Sequence, residues 1–257
     1  MQQCLEAGQA DRLEVPGLKL ERKEVVAGGL AILGALFSQF GITEMRPAKG
    51  ALRQGVIFDL HDRLRARPDD TTGDPRHHSV AELQKRFGVD LAQVERVRQV
   101  ALELFDQACP QADPVQRMEL GWACDLHEIG LMVSHHDHHR HSAYLLAHVD
   151  APGFSQSQQR RVGQLVLGQR GGLKKVDEWL AQPAYAWQLM CLRLAVIKCH
   201  ARAPLQPGVW MLKGEGPVAR LHFDEKWAAA RPHTLYLLRE EVQAWQRSAA
   251  LTLQLPD

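Results

Sequence analysis

Helical sequence patterns follow one another from about residue 72 to residue 203, and no strand pattern separates them. Apolar residues recur at helical spacing, for example at Val94, Val97 and Ala101, which is typical of helices that bury one face. Helix-start signals precede several of the patterns, at Ser79, Asp90, Asp113 with Pro114, and Ser155. Because about six or seven successive helices without a strand pack as a helical layer, we predict an all-α domain here.

The first 64 residues predict two helices, which are too few to enclose a core. An apolar stripe from Glu24 to Phe40 predicts the first helix, and Gly41 ends it. An extended piece, Ile42–Ala48, and a second helix, Ala51–Leu64, follow. A segment of about 60 residues buries little surface by itself, so we expect it to pack on another domain or to lack its partner half. The polar stretch His61–Arg76 is typical of a linker.

The pattern changes again after Pro204. Short strand-like stretches alternate with short helical ones, which predicts a small α+β unit. Its predicted elements are a hairpin of Val209–Leu212 and Val218–Phe223 with a four-residue loop Gly214–Pro217, a helix Glu225–Ala230, a strand Thr234–Leu238, a helix Glu240–Trp245, and a strand with Leu251, Leu253 and Leu255. The predicted fold class is mainly α with a small α+β C-terminal unit.

Composition and charge argue against several functional classes. The formal net charge is +1, so no global excess of positive charge favours nucleic acid or an anionic membrane. No apolar run approaches the roughly 20 residues that cross a bilayer, and the N-terminus lacks the layout of a signal peptide. The five cysteines form no C-x-x-C pair, which is typical of reduced thiols. We expect a cytoplasmic protein with no nucleic-acid or membrane partner.

Chemistry is concentrated between Gly121 and His148, where seven of the thirteen histidines lie. A His-acid pair, His127–Glu128, follows an apolar run and is closed by Gly130. A second helix with three more histidines begins a few residues later. This arrangement resembles a helical core of the HD type, in which imidazoles and carboxylates converge on a divalent metal.

The ligand set of such a core is incomplete in this sequence. His77 or His78 could supply the first ligand and His127–Glu128 the next, but the Asp expected on the following long helix has no candidate. Arg193 stands there instead, and a cation at that place opposes a metal and could pair with Glu128. We therefore expect a metal-free HD-like scaffold, with His127 and Glu128 as a vestigial metal site.

The histidine run that follows leaves two interpretations open. His135 and His139 are four residues apart and His138 and His141 three apart, which are spacings that can chelate a metal if the run is helical. Alternatively, the imidazoles bond to backbone or, when protonated near pH 6, hold phosphate anions together with Arg140.

Three stretches form a composite motif from about residue 15 to residue 200. The first is Ala27–Leu33 with Gly50–Gly55, the second is Leu126–Leu131 with Ser134–His135, His139–Tyr144 and Pro152–Ser155, and the third is Leu192–Val196. Together they resemble the exopolyphosphatase and guanosine pentaphosphate phosphatase family (Ppx/GppA).

The resemblance implies the C-terminal part of a longer enzyme. The long members of that family have two actin-like (ribonuclease H-like) lobes, then an HD-like helical domain and a small α+β domain. The implied domains here are residues 1–64, the end of the second lobe, 65–203, the HD-like domain, and 204–257, the α+β domain. The family's catalytic glutamate and its Asp-Ile-Gly-Gly-Gly-Ser phosphate loop precede these domains, and no such loop occurs in this sequence. The family reaction uses Mg²⁺, and we expect none bound to this chain.

The resemblance also implies substrate-binding residues. Gly28 and Gly29 match a glycine pair that lets backbone approach a phosphate chain, although close helix packing would also require small residues. Arg53 could bind phosphate through its planar guanidinium or form a salt bridge that holds the lobe together. The segment His139–His141 belongs to the histidine motif and could contact a polyphosphate chain.

We therefore expect a part of an exopolyphosphatase-like protein that binds polyanions and forms homodimers without hydrolysing substrate by itself. The implied substrates are inorganic polyphosphate and guanosine pentaphosphate. The alternative is a free-standing, metal-dependent HD phosphohydrolase that acts on a nucleotide or phosphate ester. The two functions differ in metal content.

Overall fold

The computed structural model describes residues 2–46, 52–65, 74–206 and 208–256. They form two compact units, Met1–Val56 and Ile57–Asp257. The helices are α1 Gln2–Ala7, α2 Leu20–Phe40, α3 Leu52–Arg65, α4 Pro75–Arg86, α5 Leu91–Ala108, α6 Pro114–Leu126, α7 His138–His148, α8 Gln156–Gly168, α9 Asp177–Leu180, α10 Pro183–Lys198, α11 Glu225–Ala229 and α12 Pro232–Ser248. The strands are β1 Trp210–Glu215, β2 Val218–Phe223 and β3 Thr252–Gln254, and 3₁₀ turns occur at Ala10–Arg12, Ile129–Met132 and Leu173–Val176.

Helix α2 is the longest element of the first unit, and it ends as the sequence predicts. Gly41 adopts a left-handed conformation with φ of +62°, and its N–H donates to the carbonyl of Phe37. Glycine pays no steric cost for this conformation, which satisfies a carbonyl of the last turn. The apolar side chains of α2 are exposed, with Ile32 at 67% and Phe40 at 72%.

The same helix corrects the expectation that no segment could cross a bilayer. Leu20–Phe40 has 21 residues, a mean hydropathy of 1.2 and no buried residue in the window that gives this value. Among the described helices, this one is long and apolar enough to span a membrane, by length and composition alone. The sequence analysis did not predict it because four charged residues, Glu21, Arg22, Lys23 and Glu24, lie near its start, so its uncharged part is shorter than 20 residues. Core helices of soluble proteins have the same length and composition.

The core of the second unit lies between α5, α6 and α10, which pack against one another. Phe105, Trp122, Tyr185 and Leu189 are almost fully buried there. Because burial of one such side chain stabilises a fold by about 1.5–3 kcal/mol, this contact holds the helical layer together. The caps expected at Asp90, Asp113 and Ser155 are confirmed. The helix start expected at Ser79 is wrong, since α4 begins earlier.

The start of α4 shows why Ser79 does not cap. Asp74 accepts from the backbone N–H of Arg76, and Pro75 occupies the first helical position. Ser79, one turn further on, instead donates to the carbonyl of Pro152 at 2.6 Å. The start at Asp74 and Pro75 is favoured because the Asp74 side chain accepts from a backbone N–H that has no partner within the helix. Pro75 has no N–H that could be left unpaired.

The C-terminal sheet has the order β1-β2-β3, with an antiparallel first pair and a parallel second pair. Leu212 of β1 is buried against α5, and its N–H donates to Gln107 Oε1 at 2.9 Å. The hairpin turn consists of Gly216 and Pro217 and not of four residues, because Glu215 pairs with Val218. Sheet and helices thereby share one core.

The strand predicted at Thr234–Leu238 is wrong, because these residues form the beginning of α12. The buried residues of that helix are Thr234, Leu238, Glu241 and Trp245. Their spacing of three and four residues is helical. Within a window of five residues, this spacing cannot be distinguished from the apolar-polar alternation of a strand. The predicted separate helix Glu240–Trp245 is the continuation of α12.

The mainly α fold with a small sheet is confirmed. The HD-like and actin-like assignments and the predicted limits of the three domains stay predictions. Some expectations concern positions outside the described residues, namely Gly50 and Ala51 of the first motif, the end of the Ile42–Ala48 piece, and residues 66–73 of the predicted linker.

Candidate functional site

The His127–Glu128 pair lies where α6 ends. His127 is buried, and its Nδ1 is 2.6 Å from the carbonyl oxygen of Cys124. Burial lowers the pKa of His127 below its ordinary value, although Glu128 opposes the shift. The distance from His127 Nε2 to Glu128 Oε1 is 3.9 Å. The pair therefore consists of a neutral imidazole beside a carboxylate.

The cation that neutralises Glu128 is Arg202. Its guanidinium donates to Glu128 Oε1 at 2.7 Å and to Asp90 Oδ2 at 2.6 Å. The expected pairing of Glu128 with Arg193 is wrong. Arg193 donates to both carboxylate oxygens of Glu241 at 2.6 Å, because α12 lies against α10 and brings this buried acid to it.

The described residues do not fit a divalent metal. No group of three or more His, Cys, Asp or Glu side chains among them could hold an ion. His77 packs edge-on to Trp122 with 6.2 Å between ring centroids, and His78 is exposed. Neither completes a ligand set with His127. The Mg²⁺ that the family reaction implies therefore finds no matching set of three ligands among the described residues, and the vestigial metal site at His127 and Glu128 stays a prediction.

A tightly packed turn connects this pair to α7. The N–H of Gly130 donates to Ser142 Oγ at 2.8 Å, and Ser142 Oγ donates to the carbonyl of His127 at 3.0 Å. A Cβ on Gly130 would lie 2.3 Å from the carbonyl oxygen of His138. Only glycine permits this approach, and it fixes the histidine run against the end of α6.

The histidine run does not present all its side chains to one ligand. His139 is buried, its Nδ1 has no hydrogen-bond partner, and burial together with Lys175 lowers its pKa to about 4. It is therefore neutral at pH 6 and does not supply the positive charge expected of it. Arg140 is exposed and lies 3.5 Å from Asp137, and His141 is half-buried beside Gly130.

The other predicted substrate-binding residues lie in the N-terminal segment. Gly28 and Gly29 are in the middle of α2, where no atom lies within 4 Å of an added Cβ. Arg53 is exposed in the first turn of α3. No neighbouring element packs so closely on Gly28 and Gly29 that it requires glycine there. The surface of α2 at these two residues is therefore accessible.

The second unit contains a large cavity that the sequence did not indicate. Its volume is about 1290 Å³, and it lies between α10, α12 and the segment Gln169–Lys174, with His127 and Glu128 at one end. Five histidines line it: His127, His135, His138, His200 and His233. Arg170, Lys174 and Arg247 also line it, and their side chains are exposed. Gly171 and Gly172 also line it.

Two imidazoles of this cavity, His138 and His200, have lowered pKa values. Burial lowers the pKa of His138, and Arg170 lowers it further. Burial and the neighbouring His233 lower the pKa of His200, whose ring lies 4.8 Å from that of His233 between centroids. The permanent positive charge of the lining therefore comes from arginine and lysine.

Family models match almost the whole chain. The model of the Ppx/GppA phosphatase family matches residues 1–64, and that of Ppx/GppA phosphatase, domain III, matches residues 76–242. Similar proteins are the guanosine-5'-triphosphate,3'-diphosphate pyrophosphatases of Vibrio campbellii and Vibrio parahaemolyticus, each 35% identical over 238 residues, and that of Vibrio cholerae, 33% identical over 237 residues.

These alignments cover 90% of this chain and 46% of each relative. The chain thus spans about half the length of the curated relatives it matches. The resemblance drawn from the glycine and histidine motifs is confirmed by both models, which follow one another in the same order. The chain belongs to the Ppx/GppA phosphatase family.

Proposed function

We propose that this chain is the C-terminal part of a phosphatase that acts on guanosine pentaphosphate or inorganic polyphosphate, and that it binds the polyanion without hydrolysing it. The observation that carries the proposal is the consecutive match of two Ppx/GppA models to residues 1–64 and 76–242. The names of the relatives favour the guanosine compound as the substrate of the whole protein.

The chemistry of the chain supports binding more than hydrolysis. Hydrolysis of a phosphoanhydride needs a positioned base and usually a metal that shields phosphate charge. The 257 residues contain no glycine-rich phosphate loop, and the described ones contain no three-ligand metal group. Exposed cations such as Arg53 and Arg140 can still attract a phosphate chain, because guanidinium groups match phosphate oxygens.

Binding of long-chain polyphosphate to the purified chain tests this proposal. We expect binding that weakens as salt rises, since exposed charges are screened. Arg140→Ala should weaken it several-fold, because Arg140 is exposed and its pairing with Asp137 is weak. Arg160→Ala, which removes an exposed arginine of α8, is the matched control. Polyphosphate that does not bind at low salt, or that binds equally to both variants, contradicts the proposal.

We also propose that the protein is a cytoplasmic homodimer. The five cysteines are free thiols, which suits a reducing compartment. Exposed apolar side chains at Met132, Val133 and Tyr144 offer surface for association. Light scattering of the purified chain should give twice the mass of 28.9 kDa, and a monomer at micromolar concentration would refute the dimer.

A further inference from the structure

We infer that the cavity between α10 and α12 is a nucleotide site, with phosphates at Arg170, Lys174 and Arg247 and the base against the apolar side of the two helices. The inference depends on the proposed function in one respect, that the ligand carries phosphate groups. It places a nucleotide ligand in this cavity, away from the histidine segment His139–His141.

The cations of the cavity are available to a ligand. Arg193 and Arg202, which also line it, are already occupied by Glu241 and Glu128. Arg170, Lys174 and Arg247 are exposed and have no acidic partner among the described residues. Two lining acids, Asp177 and Glu240, likewise form no ion pair within the described chain, so the available cations outnumber them. Arg170 and Lys174 flank Gly171 and Gly172 in the sequence, and glycines without a Cβ let an anion reach the loop backbone.

Part of the lining is apolar. Val196 and Ile197 of α10 and Leu237 and Ala244 of α12 line the cavity, and all four are only partly buried by the fold. A bare phosphate chain gains nothing from this surface, whereas a nucleobase would bury apolar area at about 25 cal/mol per Å². The volume of about 1290 Å³ exceeds the upper end of ordinary ligand pockets, roughly 1,000 Å³, and accommodates base, sugar and phosphates together.

Calorimetric titration of the whole chain with GTP and with inorganic tripolyphosphate tests the site, because the two share a triphosphate and differ by the nucleoside. We expect GTP to bind at least about tenfold more tightly. The double variant Arg170→Ala/Lys174→Ala should lose at least tenfold in GTP affinity while its thermal unfolding stays unchanged. Arg160→Ala should bind GTP like the parent chain.

Equal affinity for GTP and tripolyphosphate, or no GTP binding at millimolar concentration, overturns the nucleotide site. So does an unchanged GTP affinity in the double variant. The proposed polyanion binding has its own readout, since it depends on Arg140 and long-chain polyphosphate. A chain that binds GTP in the cavity but no long-chain polyphosphate refutes the proposed function and leaves the nucleotide site in place.

Discussion

At the scale of single residues, the most consequential contact is the buried ion pair of Arg193 and Glu241. Both side chains are 5% exposed. Arg193 also donates to the carbonyls of Gly168 and Gly171, and Trp245 Nε1 donates to Glu241 Oε1 at 2.6 Å. A buried charge pair that has its remaining hydrogen bonds satisfied specifies one arrangement of its elements. It fixes α12 on α10 and shapes the floor of the cavity.

Arg193→Met should lower the free energy of unfolding by about 3–5 kcal/mol, because it leaves the Glu241 carboxylate buried without a cation. Urea denaturation measures the change. The double variant Arg193→Met/Glu241→Gln should recover part of the loss, since the remaining amide is neutral and still accepts from Trp245. Arg220→Met, which breaks an exposed pair with Glu215, should cost less than about 1 kcal/mol. A loss for Arg193→Met as small as that of the control would contradict the account.

His139 predicts a loss of stability in acid. Its pKa in the fold is about 4 against an ordinary value of 6.5, chiefly through burial and then through Lys175. Above pH 6.5 the residue is neutral in both states, and as pH falls from 6.5 to 4 the unfolded chain binds a proton that the folded chain does not. The free energy of unfolding therefore falls over this window.

Melting temperatures of the parent chain and of His139→Gln, measured from pH 4 to pH 8, isolate this residue. We expect the variant to lose less stability below pH 6.5 than the parent does. Curves that stay parallel through the whole range would show that His139 does not titrate with a lowered pKa.

At the scale of elements, the turn around Gly130 decides how α6 meets α7. An added Cβ would lie 2.3 Å from the carbonyl oxygen of His138 and 2.4 Å from the nitrogen of Ser142. These are backbone atoms, so no side-chain rotation relieves the contact. The turn also contains the Ser142 hydroxyl bonds that position the carbonyl of His127.

Gly130→Ala should therefore lower the free energy of unfolding by at least about 1–3 kcal/mol, the usual cost of overpacking. Gly172→Ala is the matched control. Its φ is −66°, and nothing lies within 4 Å of an added Cβ, so its effect should remain within about 0.5 kcal/mol. Chemical denaturation of both variants gives the comparison, and equal effects would mean that the turn tolerates a side chain.

Local signals in the sequence predicted the elements well where a few neighbouring residues decide the structure. Asp90, Asp113 and Ser155 cap their helices because each oxygen reaches an N–H two or three residues away. Thr234–Leu238 was mistaken for a strand, since the burial that makes it helical depends on packing against α10. Short apolar windows do not carry that information.

The candidate site was less predictable than the elements because its partners are far apart in sequence. Arg193 and Glu241 are 48 residues apart, and Arg202 and Glu128 are 74 apart. The sequence analysis named Glu128 as the partner of Arg193, whereas the structure pairs Arg193 with Glu241. Arg170 and Arg247 line the same cavity only after α8, α10 and α12 have packed, so no sequence motif contains both.

At the scale of the whole molecule, the chain combines a family match over nearly its full length with 46% coverage of its relatives. Among the described residues it offers cationic surfaces and a nucleotide-sized cavity, but no ligand set for a catalytic metal. This combination favours the proposed role, in which this part of the protein binds phosphate compounds without hydrolysing them.

Orthophosphate release by the purified chain, with guanosine pentaphosphate or long-chain polyphosphate and Mg²⁺ in excess, is the most direct test of that claim. The account predicts release no faster than in buffer, even when Arg140 and the cavity cations bind the compounds. Release that is proportional to protein concentration and approaches the turnover of ordinary enzymes, on the order of 1 s⁻¹ or more, would contradict it.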